Sequence, residues 1–559
     1  MKMNKIFKLT AVALCGVVAL TGCIRETLPQ TGTVTQGQVQ DSSAGIDASL
    51  KGLPSGLMNA AYGMWSHGDF GYTSFGVWND HANHLIMPCT VWSGGNQYYD
   101  RFQQPYYGLG MGASGYMAYH YWGQNYPNIK LCNDMIATCG DDESLATYRG
   151  IAKAFRALLY IDMARMYDAL PANAPDNANY AAELLEVQGL TVPIVTEATT
   201  EQDAANNPRA TRDELFTFIF ADLADAATCL AEYKPTSVNY PSLAAVYALY
   251  ARAYLWLGGF EIGLYSDVPT GADAYRLAAE YARKAIDTAG GAIMTEAEWT
   301  NPRTAFNTVA SSWIWSLQMS TDTVLGNLHA FAAHMCPEAT YGYTPLAQPG
   351  VTQAMYNRMS RTDWRKSVIL SPEPSYEDIK GRTLYTEEEF NAAKFNPYVS
   401  FKFRPAGGEM VDFMTANAIT FPIVRLEEMY FIEMEATAHY DVATANTLLY
   451  TFMYNRDPYY AYAGNQSDVD ALVDEIIFQK QVEFWGEGHT LFDMKRLNMS
   501  VDTSDPNTYP VAGANFEPIG RLPWWNACIP MGEMQVNLGI QKNNPDPSGA
   551  LKSSTSMPE

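Results

Sequence analysis

Apolar residues recur at three- and four-residue intervals in several long segments of the chain, which predicts amphipathic helices. The clearest pattern runs from Arg149 to Tyr167, and Pro171, which cannot continue a helix, follows it. Two polar residues of this segment, Lys153 and Arg156, are expected to lie on its exposed face. The segment before it has a similar period, so residues 110–170 are predicted to form a pair of helices.

A second helical block begins at Thr211, a favourable N-cap with Glu214 at capping-box spacing. Two more helices follow before residue 290, and the first of them ends at Gly258-Gly259. Both carry alanines on one side, which lets antiparallel helices approach closely, as in tetratricopeptide-type hairpins. These alanines are Ala248 and Ala251 in the first helix and Ala278, Ala282 and Ala285 in the second.

Similar helices are predicted from Arg425 onward and from Val469 to Phe484. Two stretches between and after them are rich in Pro, Gly, Tyr and Thr and have only short strand-like pieces, at 313–319 and 398–403. The predicted fold is therefore all-α, a tetratricopeptide-like helical hairpin scaffold with long loop-rich insertions and a few short strands. The hairpins are expected at about 110–170, 211–290 and 425–496, and the loop-rich parts at about 299–420 and 500–545. Four tryptophans in regular elements are expected in the core: Trp122, Trp256, Trp313 and Trp315.

The N-terminus has the pattern of a lipoprotein signal. Three lysines precede an apolar run from Ala11 to Leu20, and Thr21-Gly22-Cys23 follows it. The run is about a dozen residues long, whereas a membrane-spanning helix needs roughly twenty. We therefore expect a signal peptide at 1–22, lipidation of Cys23, a flexible tether at 23–45 and a folded part at 46–559.

Composition and charge narrow the function. The formal net charge of −24 makes nucleic acid an unlikely ligand, because an anionic surface repels phosphate backbones. Aromatic residues make up 13% of the chain and 36 of them are Tyr, a residue favoured where a flat apolar face must coexist with a polar edge. This excess points to a binding surface.

Two loop-like stretches combine aromatic rings with polar side chains. Sugar rings present apolar C–H faces and hydroxyl edges, so a sugar site needs flat aromatic platforms with hydrogen-bonding groups around them. The alternative is that these aromatics pack the loops onto the helices. The candidate ligand-binding residues are Trp92, Asn96, Tyr98, Tyr99 and Arg101 in the first stretch, and Tyr341 and Tyr343 in the second.

Carboxylates near the C-terminus raise the question of catalysis. Glu483, Glu487 and Asp493 lie close in sequence, and a glycosidase needs a pair of carboxylates, one acting as general acid. Glu483 and Glu487 are, however, one turn apart at a helix end broken by glycines. Nearby cations are expected to hold the carboxylates in ion pairs as a structural network. These cations are Lys480, Lys495 and Arg496.

A metal site is the other alternative. His81 and His84 are spaced i, i+3, with Cys89 five residues later, but no second ligand pair follows. Ordinary hydrogen-bonded histidines are the preferred interpretation. The chain also lacks the phosphate-binding glycine loop, the nucleophile elbow and the His-Glu-x-x-His helix. No catalytic residue, metal or cofactor is therefore expected.

Several separated segments together resemble the SusD/RagB-like outer-membrane nutrient-binding lipoproteins. The strongest is EFWGEGHTLFDMKR at 483–496, which is similar to the signature of that family near the C-terminus. The segments at 149–171, 313–318 and 529–545 are also similar to segments of that family, and they occur in the same order along the chain. Two positions depart from the pattern: Gln481 stands where an acid is common, and residues 168–171 lack a usual glycine.

The resemblance implies a lipid-anchored, cell-surface protein of the outer membrane. Such proteins capture oligosaccharide or polysaccharide and pass it to a TonB-dependent SusC-like transporter, without catalysis. Two alternatives remain from the residues: a peptide-binding or assembly lipoprotein of the RagB type, and, with less support, a glycosidase.

Overall fold

The computed structural model describes most of the chain in side-chain detail. The described residues are 42–60, 69–86, 111–174, 177–260, 268–462, 464, 467–501 and 520–547. The chain divides into two units, residues 1–48 and 49–559. Helices dominate the described residues and only two short strands occur among them, which confirms the predicted all-α class.

The elements follow one another in three groups. The N-terminal group contains α1 (Ser43–Met58), α2 (Ser74–Ala82), α3 (Tyr116–Cys139), α4 (Ala146–Tyr167), α5 (Tyr180–Leu185), α6 (Glu201–Ala204), α7 (Arg212–Cys229), α8 (Leu243–Gly258) and α9 (Gly271–Ala289). The loop-rich middle contains α10 (Glu296–Trp299), β1 (Trp313–Gln318), α11 (Ala332–Met335), α12 (Thr344–Ala347), α13 (Gln353–Arg358), α14 (Tyr376–Ile379), α15 (Glu387–Ala393) and α16 (Phe413–Ala416). The C-terminal group contains β2 (Thr420–Arg425), α17 (Leu426–Ala438), α18 (Val442–Met453), α19 (Val469–Glu483), α20 (Thr490–Leu497) and α21 (Met531–Val536). Short 3₁₀ helices occur at Glu143–Leu145, Thr321–Thr323, Trp364–Val368, Ala406–Gly408 and Pro523–Trp525.

Helices α3 and α4 match the two predicted helices at 110–170, and they pack against each other. The expectation for Arg156 was wrong. Its side chain is 2% exposed, because its guanidinium donates to both carboxylate oxygens of Asp222 at 2.7 Å and to Glu197 at 2.6 Å. Lys153 is partly exposed and also reaches Asp222, at 3.9 Å. A charged residue therefore lies buried between α4 and α7, since its partner on α7 neutralises it.

The predicted capping box at the start of α7 is confirmed: Thr211 accepts from the backbone N–H of Glu214, whose side chain accepts from the backbone N–H of Thr211. The hairpin of α8 and α9 is confirmed as well, and α8 ends at Gly258. Small side chains bring the two helices together, and all of the alanines named above are buried at the contact. Close packing of this kind excludes voids and favours dispersion contacts.

Helices α17, α18 and α19 enclose a core of their own. Phe431 from α17, Leu449 and Phe452 from α18 and Ile476 from α19 are between 0% and 3% exposed. Each helix buries one apolar face against the other two, so tertiary packing stabilises all three. The four tryptophans expected in the core are buried, which confirms that interpretation.

The sheet is a two-stranded antiparallel pair of β1 and β2, in which Trp313 pairs with Arg425 and Gln318 with Thr420. Strand β1 agrees with the predicted piece at 313–319. Residues 398–403 form isolated bridges, Val399 with Gly350 and Ser400 with Ile369, instead of a strand. Strand β2 was not predicted, because Pro422 lies inside it and removes a backbone donor.

Helix α1 begins at Ser43, inside the segment expected to be tether. Among the described residues, no helix is both long enough and apolar enough to span a bilayer. The predicted signal peptide, Cys23 and most of the predicted tether lie outside the described residues.

Candidate functional site

A tight loop after α11 separates the two tyrosines expected to bind ligand. Gly342, between them, has a φ of +71°, and a Cβ there would lie 2.7 Å from the backbone oxygen of Ala333. Only glycine fits this position without strain. The turn sends Tyr343 inward, where it is 3% exposed and its ring lies 5.2 Å from that of His334, centroid to centroid. Tyr341 is partly exposed.

Tyr341 lies beside a group of exposed apolar side chains. The centroid of its ring is 6.3 Å from that of Phe413, and its hydroxyl donates to Oδ1 of Asn417 at 2.8 Å. Val411 is 72% exposed and Met414 is 37% exposed. We refer to Tyr341, Phe413, Val411 and Met414 as the Tyr341 surface. Isolated exposed apolar residues are common, whereas a contiguous group of them is typical of an interaction site.

Backbone contacts hold the Tyr341 surface in place. Both the backbone N–H and the hydroxyl of Thr340 donate to the carbonyl of Met410 at 2.8 Å, which joins the two segments that form the surface. Asn417 also donates to the carbonyl of Gly326 at 3.3 Å. Burial raises the pKa of Tyr341, so its hydroxyl stays protonated and continues to donate. A fixed ring with polar edges is the arrangement that recognises a sugar face.

The other five candidate residues, Trp92, Asn96, Tyr98, Tyr99 and Arg101, lie outside the described residues. The last described residue before them, Ile86, forms an antiparallel bridge with Val351. Val351 in turn follows α12, the helix that begins directly after Tyr343. Ile86 therefore lies beside the loop-rich middle. The binding roles of all seven residues stay predictions.

Glu483 and Glu487 lie in a buried charge cluster. Glu483 accepts hydrogen bonds from Arg365, Arg425 and Arg456 at 3.0 to 3.1 Å. Glu487 accepts from Arg425 at 2.9 and 3.0 Å and from Lys402 at 2.7 Å. The cluster consists of the cations Arg365, Lys402, Arg425 and Arg456 and the anions Asp363, Glu427, Glu483 and Glu487.

The expected structural role of these carboxylates agrees with the contacts, but the expected partners were wrong. Lys480 and Arg496 pair with Asp493, at 2.7 and 3.0 Å, and not with Glu483 or Glu487. Lys495 instead donates to the backbone carbonyls of Arg165 and Met166. The true partners come from distant segments, and local spacing in the sequence carries no signal for them.

The cluster does not suit acid–base chemistry. Burial alone would raise the pKa of Glu483, but Arg456, Arg425 and Arg365 outweigh it and hold that pKa well below its usual range. The pKa of Glu487 is also lowered, mainly by Arg425 and Lys402 working against burial. A general acid must carry a proton near neutral pH and reach the substrate. Both side chains stay ionised, and both are 0% exposed.

Helix α2 rests on the turn that contains Gly486 and Gly488. The carboxylate of Asp80 accepts from the backbone N–H of Gly486 at 2.5 Å, and Asn79 donates to the carbonyl of Gly488 at 3.2 Å. Burial raises the pKa of Asp80 to about 7, against the opposing effect of the hydrogen bond from Gly486. Helix α2 comes shortly before Trp92 in the sequence. Its hydrogen bonds to the 486–488 turn therefore hold α2 in place.

We expect the Asp80 carboxyl to make stability depend on pH. The pKa of Asp80 is about 7 in the folded protein, above its unfolded value of 3.8. The contribution of this group to the free energy of unfolding is therefore complete below pH 3.8 and is lost as the pH rises toward about 7. Urea unfolding at pH 5 and pH 7.5 measures this effect. From pH 5 to pH 7.5, the free energy of unfolding of the wild type should fall by about 2 kcal/mol more than that of Asp80→Asn, whose amide oxygen still accepts from Gly486. Equal losses in the two proteins would contradict this assignment.

The two histidines considered as metal ligands lie in and just after α2. His81 is 1% exposed and His84 is 3% exposed, and burial lowers the pKa of each to about 3. The described residues contain no cluster of three or more His, Cys, Asp or Glu side chains that would hold a metal ion. Cys89 lies outside the described residues.

Two concavities in the described part of the chain have the wrong size or lining for a sugar. A cavity of about 50 Å³ lies beside Tyr72, Asp162 and Arg252, which leaves room for a water molecule or two but not for a sugar ring. An open groove of about 560 Å³ near Thr196 and Asn206 has hydroxyl and amide side chains, but no aromatic ring among its described lining residues. The Tyr341 surface therefore has the better chemistry for a sugar among the described residues.

Two family models match the chain. One, SusD-like and described as starch-binding and associating with the outer membrane, matches residues 103–255. The other, the SusD family model, matches residues 374–544. Together they cover more than half of the chain. No curated protein matches the sequence significantly.

Solved structures share the fold. A SusD-like carbohydrate binding protein from Bacteroides vulgatus is 18% identical, with a TM-score of 0.66 over 89% of this chain and 97% of that one. A SusD superfamily protein from Bacteroides thetaiotaomicron is 19% identical, with a TM-score of 0.65 over 92% and 100%. A laminarin binding SusD-like protein is 16% identical, with a TM-score of 0.61 over 90% and 99%. With both family models and this shared fold, the chain belongs to the SusD/RagB-like family.

Proposed function

We propose that the protein captures a glycan at the cell surface and passes it to a TonB-dependent SusC-like transporter, without cleaving it. The observation that carries this proposal is the Tyr341 surface, a fixed aromatic ring with apolar neighbours and polar edges in the loop-rich middle. One structural neighbour of the same fold is named as laminarin binding, which supports a glycan as the ligand class.

Anchoring is part of the proposal. The Leu20-Thr21-Gly22-Cys23 sequence supports lipidation of Cys23 and attachment to the outer membrane. The anionic composition supports a soluble body held away from anionic head groups. In this arrangement the loop-rich middle, with the Tyr341 surface, offers the ligand-binding side.

The contacts of the two candidate catalytic carboxylates support capture without cleavage. Glu483 and Glu487 are buried and saturated by cations, so neither presents an oxygen to a glycosidic bond. A retaining or inverting mechanism needs two carboxyl groups on either side of that bond. These contacts therefore favour capture over turnover at Glu483 and Glu487.

The test uses protein lacking residues 1–23, titrated in a calorimeter against a panel of polysaccharides that includes laminarin. Replacing Tyr341 with Ala should weaken binding about three- to ten-fold, because a stacking ring contributes about 0.5–1.5 kcal/mol. Tyr341→Phe keeps the ring but not its hydrogen bond to Asn417, so it should lose less affinity than Tyr341→Ala. Trp92→Ala and Tyr98→Ala test the other predicted platform in the same titration.

Tyr343→Ala serves as the matched control one turn away. Tyr343 is 3% exposed, so its removal should leave a cavity and lower the melting temperature without a specific loss of binding by the protein that remains folded. Binding to none of the polysaccharides would refute glycan capture, and binding of peptides instead would favour the RagB-type alternative. Release of reducing ends by the wild type would establish a glycosidase.

A further inference from the structure

Two carboxylates lie within the segment that forms most of the Tyr341 surface. Asp412 stands between Val411 and Phe413, which are both members of that surface, and it is exposed. Glu409 comes just before them and is partly exposed. A ligand that covers the ring of Tyr341 and these apolar side chains therefore comes close to both negative charges.

Hydrogen bonds hold each carboxylate in place. Oε1 of Glu409 accepts from the backbone N–H groups of Val411 and Asp412, at 2.9 and 3.0 Å. Asp412 caps α16, since its Oδ1 accepts from the backbone N–H of Met414 at 3.2 Å and its Oδ2 from the hydroxyl of Thr415 at 2.7 Å. These hydrogen bonds lower the pKa of both carboxyl groups, so both are ionised at neutral pH.

The two charges act on the ring that the ligand is expected to meet. Burial is the main cause of the raised pKa of Tyr341, and Glu409 and Asp412 are among the groups that raise it further. The pKa of Glu409 is lowered mainly by the backbone N–H of Asp412, whereas the charge of the Asp412 side chain acts in the opposite direction. Both carboxylates therefore lie within electrostatic range of Tyr341 and of each other.

No neighbouring cation cancels these charges. In the described part of the chain, neither Glu409 nor Asp412 forms an ion pair. Arg303 lies beside this segment, but it donates to the carbonyl of Gly407 at 3.3 Å. Arg404 is 0% exposed, so it does not reach the surface. The electrostatic potential at the Tyr341 surface is therefore negative.

A negative potential separates two classes of sugar chain. Ionised carboxylates accept hydrogen bonds from the hydroxyl groups of a neutral sugar, but they repel the carboxylates of uronic acids and the sulfates of sulfated sugars. We propose that the Tyr341 surface selects neutral glycans and discriminates against acidic ones, with Glu409 and Asp412 as the residues that determine this specificity. The inference rests on the proposed glycan capture and adds the class of sugar.

The discrimination should be modest and should depend on salt, because both carboxylates are in contact with water. Two unit charges about 4 to 8 Å apart in water interact with an energy that corresponds to about a two- to six-fold change in affinity. Dissolved salt screens such charges within about 10 Å at 0.1 M and within about 3 Å at 1 M. A steric preference for neutral chains would show no such dependence.

The experiment titrates the protein in a calorimeter with two lightly substituted derivatives of one polysaccharide. The carboxymethyl derivative is anionic, and the hydroxypropyl derivative adds similar bulk without charge. Laminarin, starch and xylan are each tested in both forms. For a polysaccharide that binds, the hydroxypropyl form should bind more tightly than the carboxymethyl form, and the ratio of the two affinities should shrink between about 20 mM and about 500 mM salt.

Glu409→Gln and Asp412→Asn should each reduce this ratio about two- to six-fold at low salt. Gln keeps an oxygen that accepts from the same backbone N–H groups, and Asn is as good an N-cap as Asp, so both variants should melt like the wild type. Asp134→Asn is the matched control, because it removes one negative charge from the exposed surface of α3. Its ratio should equal that of the wild type.

The outcomes separate this inference from the proposed function. If the carboxymethyl form binds as tightly as the hydroxypropyl form, or if Glu409→Gln and Asp412→Asn change the ratio no more than Asp134→Asn does, the inference is overturned and glycan capture stands. If Tyr341→Ala leaves binding unchanged, the glycan binds elsewhere and the inference is again overturned. If the wild type binds no polysaccharide in any form, the proposed function is overturned as well.

Discussion

Replacing Glu483 with Gln is expected to lower the free energy of unfolding by about 3–5 kcal/mol, because it removes one anion from between three buried arginines. The amide has nearly the same shape, so the loss is one of charge and not of packing. Arg365, Arg425 and Arg456 would keep their charges in an environment where all three are 0% or 1% exposed. Urea unfolding near neutral pH measures the change.

Asp134→Asn is the matched control for Glu483→Gln. Asp134 pairs with Lys130 at 2.7 Å on the surface of α3, where the two side chains are 59% and 72% exposed. An exposed pair of this kind contributes under about 1 kcal/mol, so the variant should unfold like the wild type. A Glu483→Gln protein as stable as the Asp134→Asn protein would mean that the buried charge cluster contributes no net stability.

Replacing Gly488 with Ala is expected to cost about 3–5 kcal/mol, for two reasons that add. The φ of Gly488 is +73°, a backbone conformation that side chains disfavour. A Cβ at this position would also lie 2.6 Å from the Cα of Gly76 in α2, and backbone cannot move aside as a side chain can. The same unfolding measurement, supported by the melting temperature, tests this value.

Gly189→Ala separates the two reasons. Gly189 has a similar φ of +78°, but nothing lies within 4 Å of the position of its Cβ. Its replacement should therefore cost only the backbone strain, about 1–2 kcal/mol. If the two variants lose the same stability, the close approach between Gly488 and Gly76 has no energetic weight. The short distance between α2 and the 486–488 turn would then have another cause.

Sequence reasoning succeeded where the deciding interaction is local. The capping box of Thr211 and Glu214 involves residues three apart, and the hairpin of α8 and α9 follows from the spacing of their alanines. It failed for Arg156, whose burial depends on Asp222, 66 positions further along the chain. A charged residue in a helical pattern is normally exposed, and only the folded chain reveals the partner that permits its burial.

The candidate site also combines features that the local sequence predicts with others that only the folded chain shows. The sequence predicted Tyr341 and Tyr343 together as ligand-binding residues, but the positive φ of Gly342 between them leaves Tyr341 partly exposed and buries Tyr343 in the core. Composition gives no sign of that turn.

The buried charge cluster has a consequence for how the chain is completed. Its cations Arg365, Lys402, Arg425 and Arg456 all precede Glu483 and Glu487 in the sequence. Until those two acids arrive, Asp363 and Glu427 are the cluster's anions, too few to neutralise it. A chain cut short before Glu483 would therefore leave the buried cations of the loop-rich middle without enough partners, so it should lose stability there and not merely at its own end. C-terminal truncation should thus expose incomplete copies to proteolysis far upstream of the cut.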